Sequence, residues 1–365
     1  MTTDRSAAVL AHGLGGSTDL PIPFTYALIG AAWALAFTFA VVALAWRRPQ
    51  FDPDKPGRPL PPWVTALIDA SATRWAVAIA ALLFAVWVAM AAFAGPQDAR
   101  NPLPGVFYVL LWVGLVALSL AVGPVWRAIS PVRTVYRLLG LRSLGLRRNH
   151  DGRIAIGNPF DHLPSLPVRP GTVAVLAVLL GSTAFDSFSA TPQWRNFVDD
   201  HTGSTATATL LKTAGLLVFA GVVAATFWLA ARTTGGVDRQ RRRELPGLMA
   251  HSLIPIVIGY VFAHYLTYLV ERGQQTIIAL FGLADVAQVH YVLSMHPTVL
   301  ASIKVGCVVA GHIAGVIAAH DRALRLSPAS GRCPQPAVYQ LTGQLAMMLV
   351  MVGYTFTGLY LLFGG

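Results

Sequence analysis

Long apolar runs alternate with short polar gaps along most of this chain. A helix rises about 1.5 Å per residue, so roughly 20 consecutive apolar residues cross the hydrocarbon core of a bilayer. Eight runs approach or reach that length: 24–46, 75–94, 105–126, 168–188, 206–231, 247–270, 299–320 and 339–362. They predict an all-α polytopic bundle of about eight transmembrane helices over residues 24–365. Residues 1–23 precede it as an exported tail, and they lack the apolar core of an ordinary signal peptide.

The polar gaps fall into two charge classes. Four loops, 47–74, 127–167, 232–246 and 321–338, are basic. With the residues at their edges they hold 21 of the 27 lysines and arginines and a net charge of +13, against −4 for the tail and the other gaps. Lys212 and Lys304 lie within apolar runs. The positive-inside rule then assigns the basic loops to the cytoplasm and both termini to the outside. Composition agrees: 55% of residues are hydrophobic and 12% charged, where a soluble domain has about 25% charged. The isoelectric point near 10.2 follows from the loops. It points to anionic lipid headgroups, not to nucleic acid, because no basic motif is interleaved with aromatics. Cys307 falls in a span and Cys333 in a basic loop, so no disulfide is expected.

Some local features modify the plain bundle. Residues 63–74 are expected to lie along the membrane surface, and the outer segment 271–298 to be interfacial or re-entrant. Pro255 is expected to kink span 6. Gly311, Gly315 and Ala319 in span 7 are spaced for close helix contact.

Ionisable groups inside a bilayer are costly and mark candidate sites. His251 and His264 fall in span 6, and His312 and His320 in span 7. Tyr260, His264, Thr267 and Glu271 follow at helical spacing and share one face leading to the outer surface. His264 reads as a central ligand or proton carrier with His312 as its deeper partner, or as a hydrogen-bonding link between helices. Asp186 stands near the outer end of span 4 among Ser182, Thr183, Ser187, Ser189 and Thr191. It suits a metal ligand, proton acceptor or general base, or a helix cap. His12, beside glycines in the tail, and the outer His290 and His296 complete a candidate metal set with His264 and His312, suited to a copper or zinc ion. On span 8, Gln340, Gln344, Met347, Met351 and Thr355 share a face with Met348 beside them. Methionine is a soft donor for copper(I), and it also fills gaps in helix bundles. A haem held by His251 and His264 is disfavoured, since they point about 220° apart on one helix.

Several segments together resemble an actinobacterial family of multi-pass membrane proteins labelled fenitrothion hydrolase: AHGLGGSTDLPIP, GPVWRAISPVRTVYR, STAFDSFSATPQW, AHYLTYLVERGQQ, GHIAGVIAAH and LVMVGYTFTGLYLL. The resemblance runs over most of the chain. It implies a bacterial cytoplasmic membrane protein acting on phosphate or thiophosphate esters. Members often carry a second histidine three residues before the position matching His264, where this chain has Val261.

The sequence thus predicts a histidine-lined polar cavity opening outward between spans 4, 6, 7 and 8. It would bind a transition metal or a small polar ligand, for transport or for chemistry. A metal-assisted ester hydrolase using Asp186 and His264 is one alternative. The other is a non-catalytic subunit that meets partner helices in a larger membrane complex.

Overall fold

Apolar side chains gain nothing from water and backbone amides must be satisfied within the bilayer, so these runs can only become helices. A computed structural model describes residues 16–51, 61–96, 98, 100–139, 145–148, 154–157, 170–234, 242–283, 286–326 and 344–363. Among them, eight helices are long and apolar enough to cross a membrane. Spans 1 to 8 are Phe24–Ala45, Ser71–Ala94, Leu103–Val122, Thr172–Ser189, Thr205–Arg232, Arg242–Leu280, Pro297–Leu326 and Leu345–Phe363. The chain is a multi-pass membrane protein. Its basic loops also form a short antiparallel hairpin, Gly145–Arg148 with Ile154–Gly157.

The chain divides into two compact units. One comprises Met1–Pro53, Val168–Val270 and Tyr291–Gly365, and the other Asp54–Pro167 and Glu271–His290. Spans 2 and 3 belong to the second unit, where the helix Pro131–Leu138 packs on span 2. Residues Pro62–Asp69, expected at the membrane surface, form a short helix.

In the first unit, span 6 packs on spans 7 and 4, span 5 on 4 and 8, and span 1 on 7 and 8. Spans 4, 6 and 7 are its most enclosed helices. Small residues make this possible. A Cβ added to Gly259 would lie 2.5 Å from the Cys307 carbonyl oxygen and 3.0 Å from the Gly311 Cα. One added to Gly311 would lie 2.6 Å from the Pro255 carbonyl oxygen. Spans 6 and 7 therefore cross backbone to backbone, as the spacing of Gly311 and Gly315 predicts.

Span 6 is interrupted in two places. A 3-10 stretch, Ala250–Ser252, breaks it just before Pro255, which sits in the first turn of the helix Leu253–Thr267 and has no N–H to continue the preceding helix. A second irregularity, not expected, falls at Tyr265 (φ −105°, ψ 17°), followed by a π-helical stretch Tyr268–Arg272. The helix then continues as Gly273–Leu280, so the first part of the segment 271–298, expected to be interfacial or re-entrant, extends span 6.

At the basic-loop end of this unit, Asp321 is buried to 3% exposure. Its Oδ1 accepts from Trp46 Nε1 (3.1 Å) and from the backbone N–H groups of Gln50 (2.5 Å) and Phe51 (3.3 Å). This carboxylate fastens the segment after span 1 to span 7. Asp321→Ala is expected to cost about 2–3 kcal/mol, because it strands donors otherwise bonded to a charged group. Amide hydrogen exchange should show lost protection at Gln50 and Phe51 first.

Candidate functional site

The ends of spans 4 and 6 remote from the basic loops supply one polar network. Span 4 carries Asp186 and Ser187 in consecutive positions, which point about 100° apart on a helix. Both reach the same imidazole. Nε2 of His264 lies 2.9 Å from Asp186 Oδ2, and Nδ1 lies 3.0 Å from Ser187 Oγ. Ser187 Oγ is also 2.9 Å from the Tyr260 hydroxyl and 3.3 Å from the carbonyl oxygen of Thr183. The Tyr265 hydroxyl donates to Asp186 Oδ2 at 3.1 Å. The side chain of Asp186 therefore serves the network, while its backbone carbonyl accepts from Ser189 Oγ.

Burial grades the network. His264, Ser187 and Tyr260 are 1%, 0% and 2% exposed, while the Asp186 side chain keeps 38% of its surface. The carboxylate is thus the accessible end, with the imidazole, hydroxyl and phenol behind it. The two tyrosines also clamp the ring. Tyr260 lies nearly parallel to it at 6.2 Å, and Tyr265 meets it edge-on at 4.5 Å. The irregular backbone at Tyr265 brings its hydroxyl to the carboxylate, although regular helical spacing sets it off the Tyr260–His264 face. Behind span 4, Phe185 and Phe188 each pack against Trp194 and Phe219 and hold the end of the helix.

The two hydroxyls give Nδ1 a partner whether or not it carries a hydrogen. With a neutral ring, Nε2–H donates to Asp186, and Nδ1 accepts from Ser187, which accepts from Tyr260. With a doubly protonated ring, Nδ1–H donates to Ser187 Oγ. The serine hydrogen then turns to the Thr183 carbonyl, and Tyr260 still donates to the serine. Every buried polar atom keeps a partner in both states, as a low-dielectric interior demands.

The other predicted residues lie apart from it or have separate partners. His312 is 1% exposed, with Nδ1 2.8 Å from the Val308 carbonyl and its buried Nε2 without a hydrogen-bond partner. His290 is exposed and is joined to Gln274 through its backbone. His296 is exposed. His12 lies outside the described residues, as do Gln340 and Cys333. His251 bonds the Leu248 carbonyl, whereas His320 bonds the Trp46 carbonyl and the Gln344 side chain. Among the described residues, no group of three or more His, Cys, Asp or Glu side chains stands close enough to hold a metal ion.

Sequence reasoning undervalued Lys304. It is 0% exposed, and its Nζ has no hydrogen-bond partner. From the Gly259–Gly311 crossing, His264 lies five residues along span 6 and Lys304 seven along span 7, about 7.5 and 10.5 Å along their axes. Its position within an apolar run was the signal, since a charge there is retained at a cost.

No protein-family model, curated protein or solved structure matches the chain.

Proposed function

We propose that this membrane protein binds a small polar solute at the outward end of spans 4 and 6 and exchanges a proton with it through Asp186 and His264. The observation that carries this reading is the graded network: a half-exposed carboxylate backed by a buried imidazole whose partners suit both protonation states. A group that merely links helices needs only one such state. The solute, or a water next to it, gives or takes a proton at the Asp186 carboxylate. His264, whose Nε2–H points at the same carboxylate oxygen, stabilises the ionised carboxylate, and Ser187 holds the ring in that orientation.

A small polar ligand is favoured over a metal ion because both nitrogens of His264 are already engaged, by Asp186 and by Ser187. Transport coupled to proton movement uses the arrangement most directly. Ester hydrolysis, the activity the sequence resemblance implies, would use Asp186 as base toward a water. The contact set Ser187–His264–Asp186 resembles a catalytic triad, but Ser187 is wholly buried and unsuited to attack a substrate.

The test is reconstitution into vesicles that enclose a pH-sensitive dye, challenged in turn with amines, sugars, carboxylates and phosphate esters. Wild-type protein is expected to give proton movement dependent on one solute class, and Asp186→Asn is expected to abolish it. An Asp186→Asn protein that matches wild type for the active solute would defeat the reading.

A further inference from the structure

We infer that the basic-loop half of the first unit contains a second site, a methionine cage for a soft monovalent cation such as copper(I). The chain has seven methionines. Four of them, Met249, Met347, Met348 and Met351, line one small cavity together with Phe39, Val316, Ala319, His320 and Gln344. Met347 and Met351 are one turn apart on span 8 and face inward together. Met249 comes from the short helix Leu245–Met249, just before the 3-10 turn in span 6. These three are 4%, 0% and 1% exposed, and Met348 forms the half-buried rim.

Size and chemistry select the occupant. The cavity has room for about one water-sized occupant. A hydrated ion does not fit. A bare cation would need donors that replace its water. Thioether sulfur does this for copper(I) and silver(I) and does it poorly for magnesium, calcium or alkali ions. Met249 Sδ also accepts a hydrogen bond from Thr234 Oγ1 at 3.7 Å, which orients the sulfur and leaves a lone pair. His320 is a wall, not a ligand, since both of its nitrogens are engaged. His312 shares a face with the cavity-lining Val316, one turn away, and its Nδ1 is tied to a backbone carbonyl. That bond makes Nε2 the lone-pair nitrogen, the orientation seen in metal-bound histidines. It is suited to receive the ion from the outward side.

Methionine is also an ordinary gap-filler in helix bundles, and the experiment is chosen to tell the two roles apart. Purified protein is titrated with copper(I) under reducing conditions against a chromogenic copper(I) chelator, and in parallel with silver(I). The expected result is one ion held per chain, with sulfur neighbours in its X-ray absorption spectrum. The double variant Met347→Leu/Met351→Leu, which conserves volume and apolarity, should retain none while keeping the wild-type thermal transition. Asp186→Asn should bind copper(I) normally, so failure of the outer site and failure of this one are distinguishable. Wild-type protein that yields all its copper(I) to the chelator, or a double-leucine variant that holds as much as wild type, would overturn the inference.

Discussion

Gly311→Leu is expected to prevent stable assembly of spans 6 and 7, with a loss of more than about 4 kcal/mol. Overpacking a core usually costs about 1–3 kcal/mol because side chains can shift. At this crossing the obstacles are backbone atoms. A Cβ alone would lie 2.6 Å from the Pro255 carbonyl oxygen and 3.0 Å from the Gly259 Cα, and neither can move without moving a helix. Gly259→Leu should behave alike, because it meets the same crossing from the other side. Gly306→Leu is the control: it lies on the same helix, and a Cβ there meets nothing within 4 Å. Size-exclusion profiles after heating in mild detergent should show early aggregation for the first two variants and a wild-type profile for the third. Loss of all three equally would mean that span 7 tolerates no bulk anywhere, which contradicts the close-crossing account.

His264→Ala is expected to remove about 2–4 kcal/mol and to abolish proton exchange. Deleting the imidazole leaves a void and strips a partner from Asp186 and from Ser187, and unsatisfied buried polar groups cost about 1–3 kcal/mol each. The half-exposed carboxylate can rehydrate, which holds the total below that of a fully buried pair. Ser187→Ala is a subtler probe. It should cost only about 1 kcal/mol, yet it removes the hydroxyl that holds Nδ1 and so the orientation of the ring toward Asp186. A protein that is stable but deficient in proton exchange is therefore the expected outcome for Ser187→Ala. If His264→Ala and Ser187→Ala reduce stability in proportion and leave exchange intact, the network is structural glue.

The helices were legible because the bilayer permits so few solutions. A run of apolar residues must become a helix there, and the eight observed spans overlap all eight expected ones. Their ends were less legible. Nothing in the composition announces that span 6 would pass through a π-helical stretch and continue to Leu280.

Asp186 and His264 stood out as ionisable residues near apolar runs, but their contact joins positions 78 apart in the chain, which periodicity within one helix cannot reveal. Tyr260 was visible on the polar face of span 6. Ser187 was visible only as one hydroxyl among several. Tyr265 could not be read at all, because it reaches Asp186 through backbone that leaves the helical geometry on which the reading depends. The fastening role of Asp321 was hidden for a similar reason: its partners are backbone amides after span 1, and amides carry no sequence signature.

The central claim is that Asp186, backed by His264, exchanges a proton with a bound solute. Solute-driven proton movement into dye-loaded vesicles, compared between wild type, Asp186→Asn and His264→Ala, tests it most directly. The account predicts movement with wild-type protein and its loss in both variants while each remains folded in the vesicle. Movement that neither substitution diminishes would contradict it.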